Sequence, residues 1–495
     1  RGPGGTLWGA NAVNGVINVI TKSSTKTKGS LVSAGAGSEE KGFGTFRYGD
    51  QAGGWDYRAY GKYFNRDSGY RRDGANIDEW NMAKAGFRTD KEQWTIQGDF
   101  YNGAVEQRTN VISFTSPLAQ TVDERADIRG ANLLAKYTEE DWSLQVYWDE
   151  TLRDFLSFKE LRDRIDAEYL RRHQLTDNQE LSWGLGYKLE LEDIKNTETF
   201  SIQDPSEPDQ VFSFFTQDEV SMTDDFTLIF GSKFEHNIYT GFEVQPNVRA
   251  LYHISDQQQL WSAVSHSVRT PSRIHTNGII TGYSTTTGNF TRISPNDDVD
   301  AENITSYEIG YRNQPMEKAF FDVAAYSNYY KDLISFTRGS TITDRGQTVT
   351  LFPVVNGMSG EVYGIETSGE VRLLEWWKLK GNLAWSRMML HTDDDVTNLG
   401  LERGLETAVP KYTAYLQSSY DLPKDVKFDH ILRYVDAARS ASSYLELDIV
   451  VSKTLNEWDF SLVGQNLVHD HHREAVGATA TEIERGGYVK VTRKF

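Results

Sequence analysis

The chain carries ten histidines, and three of them lie close together at His469, His471 and His472. Imidazole nitrogens at this spacing could ligate a transition metal or haem iron. A polar loop that happens to be rich in histidine gives the same pattern without binding anything, and it is the simpler explanation. We therefore keep the three histidines as candidate ligand-binding residues and predict no metal site.

A second group of candidates combines positive charge with aromatic rings, and most of it falls in residues 272–303. Arginine can hold an anion through charge-assisted hydrogen bonds, and aromatic faces add cation–π contacts. Such a set suits an anionic, aromatic ferric chelate, although ordinary loop composition accounts for it equally well. The candidates are Arg269, Arg273, His275, Tyr283, Phe290 and Arg292.

Motifs of covalent catalysis are missing from the sequence. It contains no glycine-rich phosphate loop, no His-Glu-x-x-His and no Gly-x-Ser-x-Gly. The absence of cysteine excludes disulfide bonds and thiolate metal sites. A formal charge of -19 opposes nucleic-acid binding, which requires basic surfaces. We predict neither an enzyme nor a covalently bound cofactor.

The elements that must hold the candidate residues are β-strands with one apolar side. Residues 377–386 are the clearest case, because large apolar residues and glycine alternate there with polar or small residues. At about 3.3 Å per residue and a tilt of roughly 40°, this strand rises about 20 Å, close to the ~25 Å apolar band of a membrane barrel. No run approaches the roughly 18 apolar residues of a spanning helix. We therefore predict an all-β, antiparallel transmembrane barrel.

Short polar turns alternate along the chain with longer segments, as periplasmic turns and extracellular loops do in bacterial barrels. This rhythm gives about 22 strands, a barrel too wide to be filled by its own side chains and so in need of a plug. Residues 158–170 have both helical and strand character, and we expect a strand there because good strands flank them. The expected long loops are 103–127, 272–303, 337–360, 391–409 and 468–484.

The first 22 residues carry a spaced motif at Arg1, Gly2, Pro3, Trp8, Gly9, Ala12, Gly15 and Asn18. This motif resembles the closing stretch of the plug domain of TonB-dependent receptors. The resemblance implies a plug end at residues 1–28 and a barrel at residues 29–495, with a signal peptide and most of the plug expected upstream. Shorter stretches similar to the family lie at 215–220, 268–272, 307–310 and 465–467.

The end of the chain resembles the last strand of outer-membrane proteins, whose terminal aromatic residue is recognised by the barrel-assembly machinery. Arg493 departs from that pattern, where an apolar residue is usual, but a long cation near the membrane edge can extend to the headgroups. The residues that carry the likeness are Tyr488, Val489, Val491 and Phe495.

Together these resemblances imply a receptor in the outer membrane of a Gram-negative bacterium, surrounded by lipopolysaccharide. It would be driven by the TonB–ExbB–ExbD complex through a segment upstream of residue 1. The implied cargo is a scarce, large nutrient: a ferric siderophore first, then cobalamin or haem. A passive porin-like channel is the second class of function, and an adhesin or barrel-borne enzyme the third. We expect a monomer whose ligand is an iron chelate.

Overall fold

A closed barrel of 22 antiparallel β-strands forms the body of the protein in a computed structural model. The structure describes residues 4–67, 69–71, 79–205, 207–394, 396–397, 399–439, 441–475 and 480–495. Strand β1 pairs with β22 from Leu31 opposite Lys494 to Gly37 opposite Tyr488, which closes the barrel and confirms the predicted fold class. In chain order, β1 to β22 are Gly29–Gly37, Gly42–Ala52, Trp55–Asp67, Glu79–Lys91, Trp94–Ile112, Ala119–Thr138, Trp142–Asp154, Lys159–Thr176, Gln179–Lys195, Asp209–Thr223, Phe226–Asn237, Gly241–Ser255, Gln258–Arg269, Glu302–Met316, Ala319–Phe336, Gln347–Leu374, Trp377–Thr392, Tyr412–Leu422, Val426–Val435, Tyr444–Leu455, Trp458–Gln465 and Gly486–Lys494.

Connections at one end of the barrel are short, whereas several at the other end contain secondary structure of their own. Bacterial barrels place their long loops outside the cell, so we take the long-loop end as extracellular. None of the helices in the described part of the chain is long and apolar enough to cross a membrane. The elements outside the barrel are the helices α1 (Gly5–Trp8), α2 (Arg273–Asn277) and α3 (Leu401–Glu406), a 3-10 turn (Ser24–Thr27), and the loop strands Phe200–Ile202, Gly278–Ser284, Asn289–Ser294, Thr341–Asp344, His471–His472 and Ile483–Glu484.

Two of the expected long loops were wrong, because most of their residues belong to strands. β5 continues to Ile112 and β6 begins at Ala119, so only residues 113–118 connect them. β16 likewise begins at Gln347, inside the expected loop 337–360. These stretches are polar because strands that project above the membrane meet water while they remain paired to each other.

The ambiguous residues 158–170 form a strand, as predicted, with β8 beginning at Lys159. β8 pairs along its length with β7 on one side and β9 on the other. Pairing on both sides satisfies every backbone group of the segment, and this outweighs the weak helical spacing of its side chains.

The outer face of the wall is apolar, whereas the inner face is polar. Leu383, Ile365 and Leu416, which point outward on neighbouring strands, are 50%, 45% and 48% exposed. On the opposite face of the same strands, Lys378 lies 3.4 Å from Glu370. This alternation is that of a strand with lipid on one side and an aqueous lumen on the other.

Candidate ligand-binding cavity

The N-terminal segment, residues 4–21, is fastened to the inner wall of the barrel near its extracellular end. The backbone amide of Ala10 donates a hydrogen bond to Glu235 Oε2 at 2.5 Å. The amide of Asn11 donates to the Val268 carbonyl at 2.9 Å, and its side chain donates to Thr270 Oγ1 at 3.3 Å. Glu235 lies on β11, and the other two wall residues lie at the end of β13 and just beyond it.

Two glycines permit this close approach of the segment to the wall. A Cβ atom on Gly5 would lie 2.5 Å from Gln245 Oε1 and equally close to Ser267 Oγ. A Cβ atom on Gly9 would lie 2.4 Å from Glu235 Oε1, and Gly9 has a φ of 83°, which favours glycine. Both positions therefore require a residue without a side chain.

The structure places several residues of the predicted plug motif in or beside this contact. Gly9 lies against Glu235 of the wall, and Trp8 beside it is half-exposed. The buried Ala12 accepts a hydrogen bond from the Gly4 amide at 2.8 Å. Gly15 and Asn18 lie further along the segment and are exposed. The remaining motif residues, Arg1, Gly2 and Pro3, lie outside the described residues.

A cavity of about 800 Å³ opens between the N-terminal segment and the wall. Trp8, Ala10 and Asn11 line one side of it, whereas the inward faces of β8 to β11 and the loop after β13 line the rest. Seven cationic and seven anionic side chains face the cavity, together with several aromatic rings. A chamber of this size can hold a ligand of several hundred daltons.

Most cations of the cavity are already paired with carboxylates of the wall. Arg164 binds Glu190, and Lys188 Nζ lies 3.5 Å from the same carboxylate. Arg153 lies 3.6 Å from Glu160. Arg164 and Lys188 share one carboxylate, so the ion pairs reduce the positive charge of the cavity without removing all of it.

Three of the predicted loop residues line the cavity. Arg269 binds Glu302 with two parallel hydrogen bonds. Arg273 is buried at 7% exposure and lies 3.3 Å from Glu192. Both guanidinium groups are thus engaged within the protein, and their contact with a ligand stays a prediction.

His275, the third of these residues, lies in α2 outside the membrane. Its Nδ1 accepts a hydrogen bond from the Ser272 amide at 3.1 Å, which caps the start of the helix. Burial, and secondarily the charge of Arg269, lowers the pKa of this imidazole. Burial has the opposite effect on Tyr239, a neighbouring loop residue, because it raises the pKa of the tyrosine hydroxyl. This hydroxyl lines the cavity in its neutral form.

The other predicted loop residues form a small apolar core above the barrel and do not line the cavity. Phe290 is fully buried, and its ring stacks on Phe114 at 4.6 Å. Tyr283 packs against the Phe290 ring at 5.0 Å. Arg292 is ion-paired with Asp344. Because the loop strands fold together, the aromatic residues are used for packing, and we correct their expected position from ligand surface to loop core.

His471 and His472 hold the last extracellular loop to its surroundings. The His471 ring stacks on Tyr70 at 4.3 Å, and its Nδ1 is bonded to Glu482. The His472 ring is buried and stacks on Tyr444 at 4.2 Å. Imidazoles engaged in this way tie the loop to its neighbours.

His469 lies near His472, with 6.3 Å between the ring centroids. His472 Nε2 is in turn 3.1 Å from Glu474 Oε1. Within the described residues, no group of three or more histidines and carboxylates is arranged to hold a metal ion. The three histidines are also absent from the residues that line the cavity.

The last strand carries the residues predicted to act in barrel assembly. Val489 and Phe495 are exposed on the outer face at 51% and 58%, and Val491 shares that face. Tyr488 points to the opposite side and meets Phe43 edge to face at 5.8 Å. The Arg493 guanidinium lies over the Phe495 ring at 4.0 Å. Their role in assembly stays a prediction.

The sequence-based search missed the charged side chains that β8 presents to the cavity. These are Glu160, Arg162, Arg164, Asp166 and Glu168, which alternate with outward-facing residues. The signal is a charge at every second position, the pattern of a strand that faces an aqueous lumen. Glu235 and Gln245 carry no such signal, because their contact with the N-terminal segment joins residues distant in sequence.

Residues 28–467 match the family model described as TonB dependent receptor-like, beta-barrel. Among curated proteins, the vitamin B12 transporter BtuB of Vibrio vulnificus (strain CMCP6) is 56% identical over 50 residues. That stretch covers 10% of this chain and 8% of the transporter, so it spans far less than two thirds of the relative.

Solved structures resemble the whole chain. The siderophore receptor PirA from Acinetobacter baumannii gives a TM-score of 0.76 at 15% identity, over 100% of this chain and 84% of its own. The corresponding PirA from Pseudomonas aeruginosa gives 0.75 at 14% identity, over 100% and 85%. A mutant of the ferric enterobactin receptor PfeA from Pseudomonas aeruginosa gives 0.76 at 14% identity, over 100% and 84%. At these identities the likeness shows the fold.

Proposed function

The chain belongs to the TonB-dependent receptor family, and we propose that it imports a ferric siderophore across the outer membrane of a Gram-negative bacterium. Members of this family are transporters, which confirms that the protein is not an enzyme. In our proposal the TonB–ExbB–ExbD complex supplies the energy, the barrel-assembly machinery inserts the barrel, and lipopolysaccharide surrounds it. The iron chelate is cargo, and the protein needs no covalently bound cofactor.

The observation that carries this proposal is the position of the cavity between wall and N-terminal segment. A ligand that fills it touches Trp8, Ala10 and Asn11 as well as the barrel. Because such a ligand contacts both the segment and the wall, its binding can shift the position of the segment. This requires that the ligand has different affinities for the protein with the segment docked and with the segment displaced. A passive pore would not need such an arrangement.

Siderophore is favoured as the ligand class by the structural neighbours. Those named above are a siderophore receptor in two species and a ferric enterobactin receptor. A volume of about 800 Å³ suits a large chelate. Cobalamin is the second candidate, because the short curated match is to a vitamin B12 transporter.

The test is uptake by a receptor-deficient strain that carries the complete gene. Cells receive a mixture of radiolabelled ferric siderophores or labelled cobalamin, with and without TonB. We expect iron uptake that disappears in the strain lacking TonB. Iron uptake of equal rate with and without TonB would indicate a passive channel. Uptake of cobalamin alone would show that the ligand is cobalamin and not a siderophore.

A matched pair of loop variants shows whether the cavity is the site. Ser157 lines the cavity, whereas Thr115 lies exposed on another loop at the same end of the barrel. Ser157→Trp should block uptake by filling the chamber, and Thr115→Trp should leave uptake near wild type. Equal uptake by the two variants would place the ligand elsewhere.

A further inference from the structure

One arginine of the cavity has no partner of its own in the protein. Arg162 projects from β8 into the cavity and is half-buried. In the described part of the chain it forms no hydrogen bond and no ion pair, and its Nε atom is shielded from water. A shielded N–H donor without an acceptor is unfavourable. This guanidinium is therefore suited to bind a group that the protein itself does not supply.

The cross-strand neighbours of Arg162 explain why it stays unpaired. They are Thr151 on β7 and Glu192 on β9. Thr151 is uncharged, and Glu192 is ion-paired with Arg273, whose Nε lies 3.3 Å from the carboxylate. The charge of Arg162 acts on Glu192 as well, but less than that of Arg273 does. The carboxylate opposite Arg162 is thus already engaged.

The next cations along the wall add positive charge near Arg162. Arg164, two residues further along β8, is ion-paired with Glu190, and Lys188 Nζ lies 3.5 Å from the same carboxylate. The charge of Arg162 also acts on Glu190. Because two cations already share this carboxylate, it cannot neutralise the arginine as well. The wall around Arg162 is therefore locally positive.

The next carboxylates of β8 lie further towards the periplasm. Asp166 and Glu168 are four and six residues from Arg162, about 13 and 20 Å along the strand at roughly 3.3 Å per residue. Among the cations, Lys188 acts most strongly on Asp166. Interactions between charges in contact with water are largely screened beyond about 10 Å. These two carboxylates therefore leave the charge at Arg162 in place.

We infer that Arg162 determines the specificity of this receptor by binding an anionic oxygen of the ferric chelate, a carboxylate or catecholate oxygen, at the extracellular end of the cavity. A guanidinium presents its N–H donors in one plane and can hold two oxygens at once. The receptor should then prefer a ferric chelate with net negative charge to a neutral one. This inference rests on the proposed function and adds the charge of the ligand and the residue that recognises it.

The test measures the affinity of the purified full-length receptor for three radioiron-labelled chelates. They are a ferric tris-catecholate, a ferric citrate complex and a ferric trihydroxamate. Three catecholates bring six negative charges to Fe³⁺, and citrate also gives an anionic complex, whereas three hydroxamates bring three charges and give a neutral one. We expect at least one of the two anionic chelates to bind more tightly than the trihydroxamate.

Substitutions at Arg162 then assign this preference to one side chain. Arg162→Gln should weaken binding of the preferred anionic chelate roughly tenfold, the effect of losing a charge-assisted contact, and should leave the trihydroxamate unchanged. Arg162→Lys keeps the charge without the planar set of donors, so its loss should be smaller. Heat-modifiable migration in gel electrophoresis identifies any variant whose barrel does not form, and Arg162→Lys decides the question if Arg162→Gln does not fold.

Arg47→Gln is the matched control. Arg47 faces the lumen from β2, is half-buried and also has a shielded Nε atom without a hydrogen-bond partner in the described part of the chain. It does not line the cavity. Binding of the anionic chelate should therefore stay at the wild-type level in this variant. An equal loss in Arg47→Gln and Arg162→Gln would mean that only the total charge of the lumen matters, and it would overturn the inference.

The remaining outcomes separate this inference from the proposed function. A wild-type receptor that binds the trihydroxamate more tightly than both anionic chelates would overturn the inference and leave siderophore import intact. The same holds if an anionic chelate binds wild type and Arg162→Gln with equal affinity. If none of the three chelates binds and none is imported with TonB present, the proposed function fails together with the inference.

Discussion

Gly9 sets how closely the N-terminal segment can approach the wall. Its φ of 83° and ψ of -165° lie in a region that is essentially restricted to glycine, and they cost a residue with a side chain about 1–3 kcal/mol. A Cβ atom there would also displace the Glu235 carboxylate that accepts the Ala10 amide. We predict that Gly9→Ala loosens the segment. The measurement is the disulfide yield of the pair Asn11→Cys/Thr270→Cys, whose native side chains are 3.3 Å apart, in a protein with no cysteine of its own.

Gly53→Ala separates the two causes of this effect. Gly53 also has a positive φ, of 58°, but a Cβ atom there meets nothing within 4 Å. An alanine there would also be strained by its positive φ, but its Cβ atom would displace no neighbour. The cross-link yield should fall severalfold in Gly9→Ala only, and an equal fall in both variants would mean that Glu235 is irrelevant.

His275 should make the loop after β13 sensitive to acid. The pKa of the His275 imidazole is lowered from the usual 6.5 in the folded loop. Just below pH 6.5, the imidazole is therefore protonated more readily in the unfolded loop than in the folded loop. The stability it contributes is complete above pH 6.5 and is lost as the pH falls through the lowered value. We expect residues 270–301 to be cleaved faster at pH 5 than at pH 7.5 by a protease active at both.

Two glutamine variants test the origin of this acid sensitivity. His275→Gln can still accept the Ser272 amide but cannot be protonated, so cleavage of the loop should become independent of pH. His253→Gln, on an exposed histidine at the periplasmic end of β12, should keep the wild-type dependence. Acid sensitivity that persists in His275→Gln would assign it to another group.

Among the secondary-structure elements, the 3-10 turn Ser24–Thr27 anchors the N-terminal segment at the periplasmic edge. Asp90 is the centre of this anchor. It accepts the Ser24 amide at 2.7 Å and the Thr95 hydroxyl at 2.8 Å, and it is ion-paired with Arg88 at 2.8 Å. Burial opposes the ionised form, but these donors outweigh it and hold the pKa of Asp90 well below its usual range.

We predict that Asp90→Asn opens this turn. An amide cannot accept from all the donors that the carboxylate satisfies, at a cost of about 1–3 kcal/mol. Thr27 is only 3% exposed, so a cysteine at that position reports opening by reaction with a water-soluble maleimide. Labelling of Thr27→Cys should rise about tenfold or more in Asp90→Asn.

The control for this anchor is Asp50→Asn. Asp50 is exposed at the same end of the barrel, and its hydrogen bonds with described residues are local, from the Tyr48 hydroxyl and the Gln51 amide. Labelling of Thr27→Cys should stay at the wild-type rate in this variant. Equal labelling in both variants would show that the turn is held by something other than Asp90.

The same elements show what a sequence can and cannot predict. Alternation over 377–386 identifies β17 because each side chain must face either lipid or water. The extracellular ends of β5 and β16 cannot be predicted in this way, because both faces of these strands meet water above the membrane. Phe290 is an aromatic residue that could contact a ligand, but only the folded loop shows that it is buried.

At the scale of the whole molecule, the strands of the barrel are held together by far more hydrogen bonds than hold the N-terminal segment near the cavity. The barrel is closed by continuous pairing of β1 with β22. The segment, by contrast, is held near the cavity by a few hydrogen bonds, among them those of Ala10 and Asn11. In the proposed import, energy from TonB would therefore shift the segment at far lower cost than it could open the seam.

Two cysteine pairs distinguish these possibilities. Ser33 and Thr492 face each other across the seam, with 2.9 Å between their hydroxyl oxygens, and Asn11 and Thr270 join the segment to the wall. A disulfide across the seam should leave TonB-dependent uptake near wild type. A disulfide between segment and wall should stop it, and a thiol reductant should restore it. Uptake blocked by the seam disulfide would mean instead that the barrel itself must open.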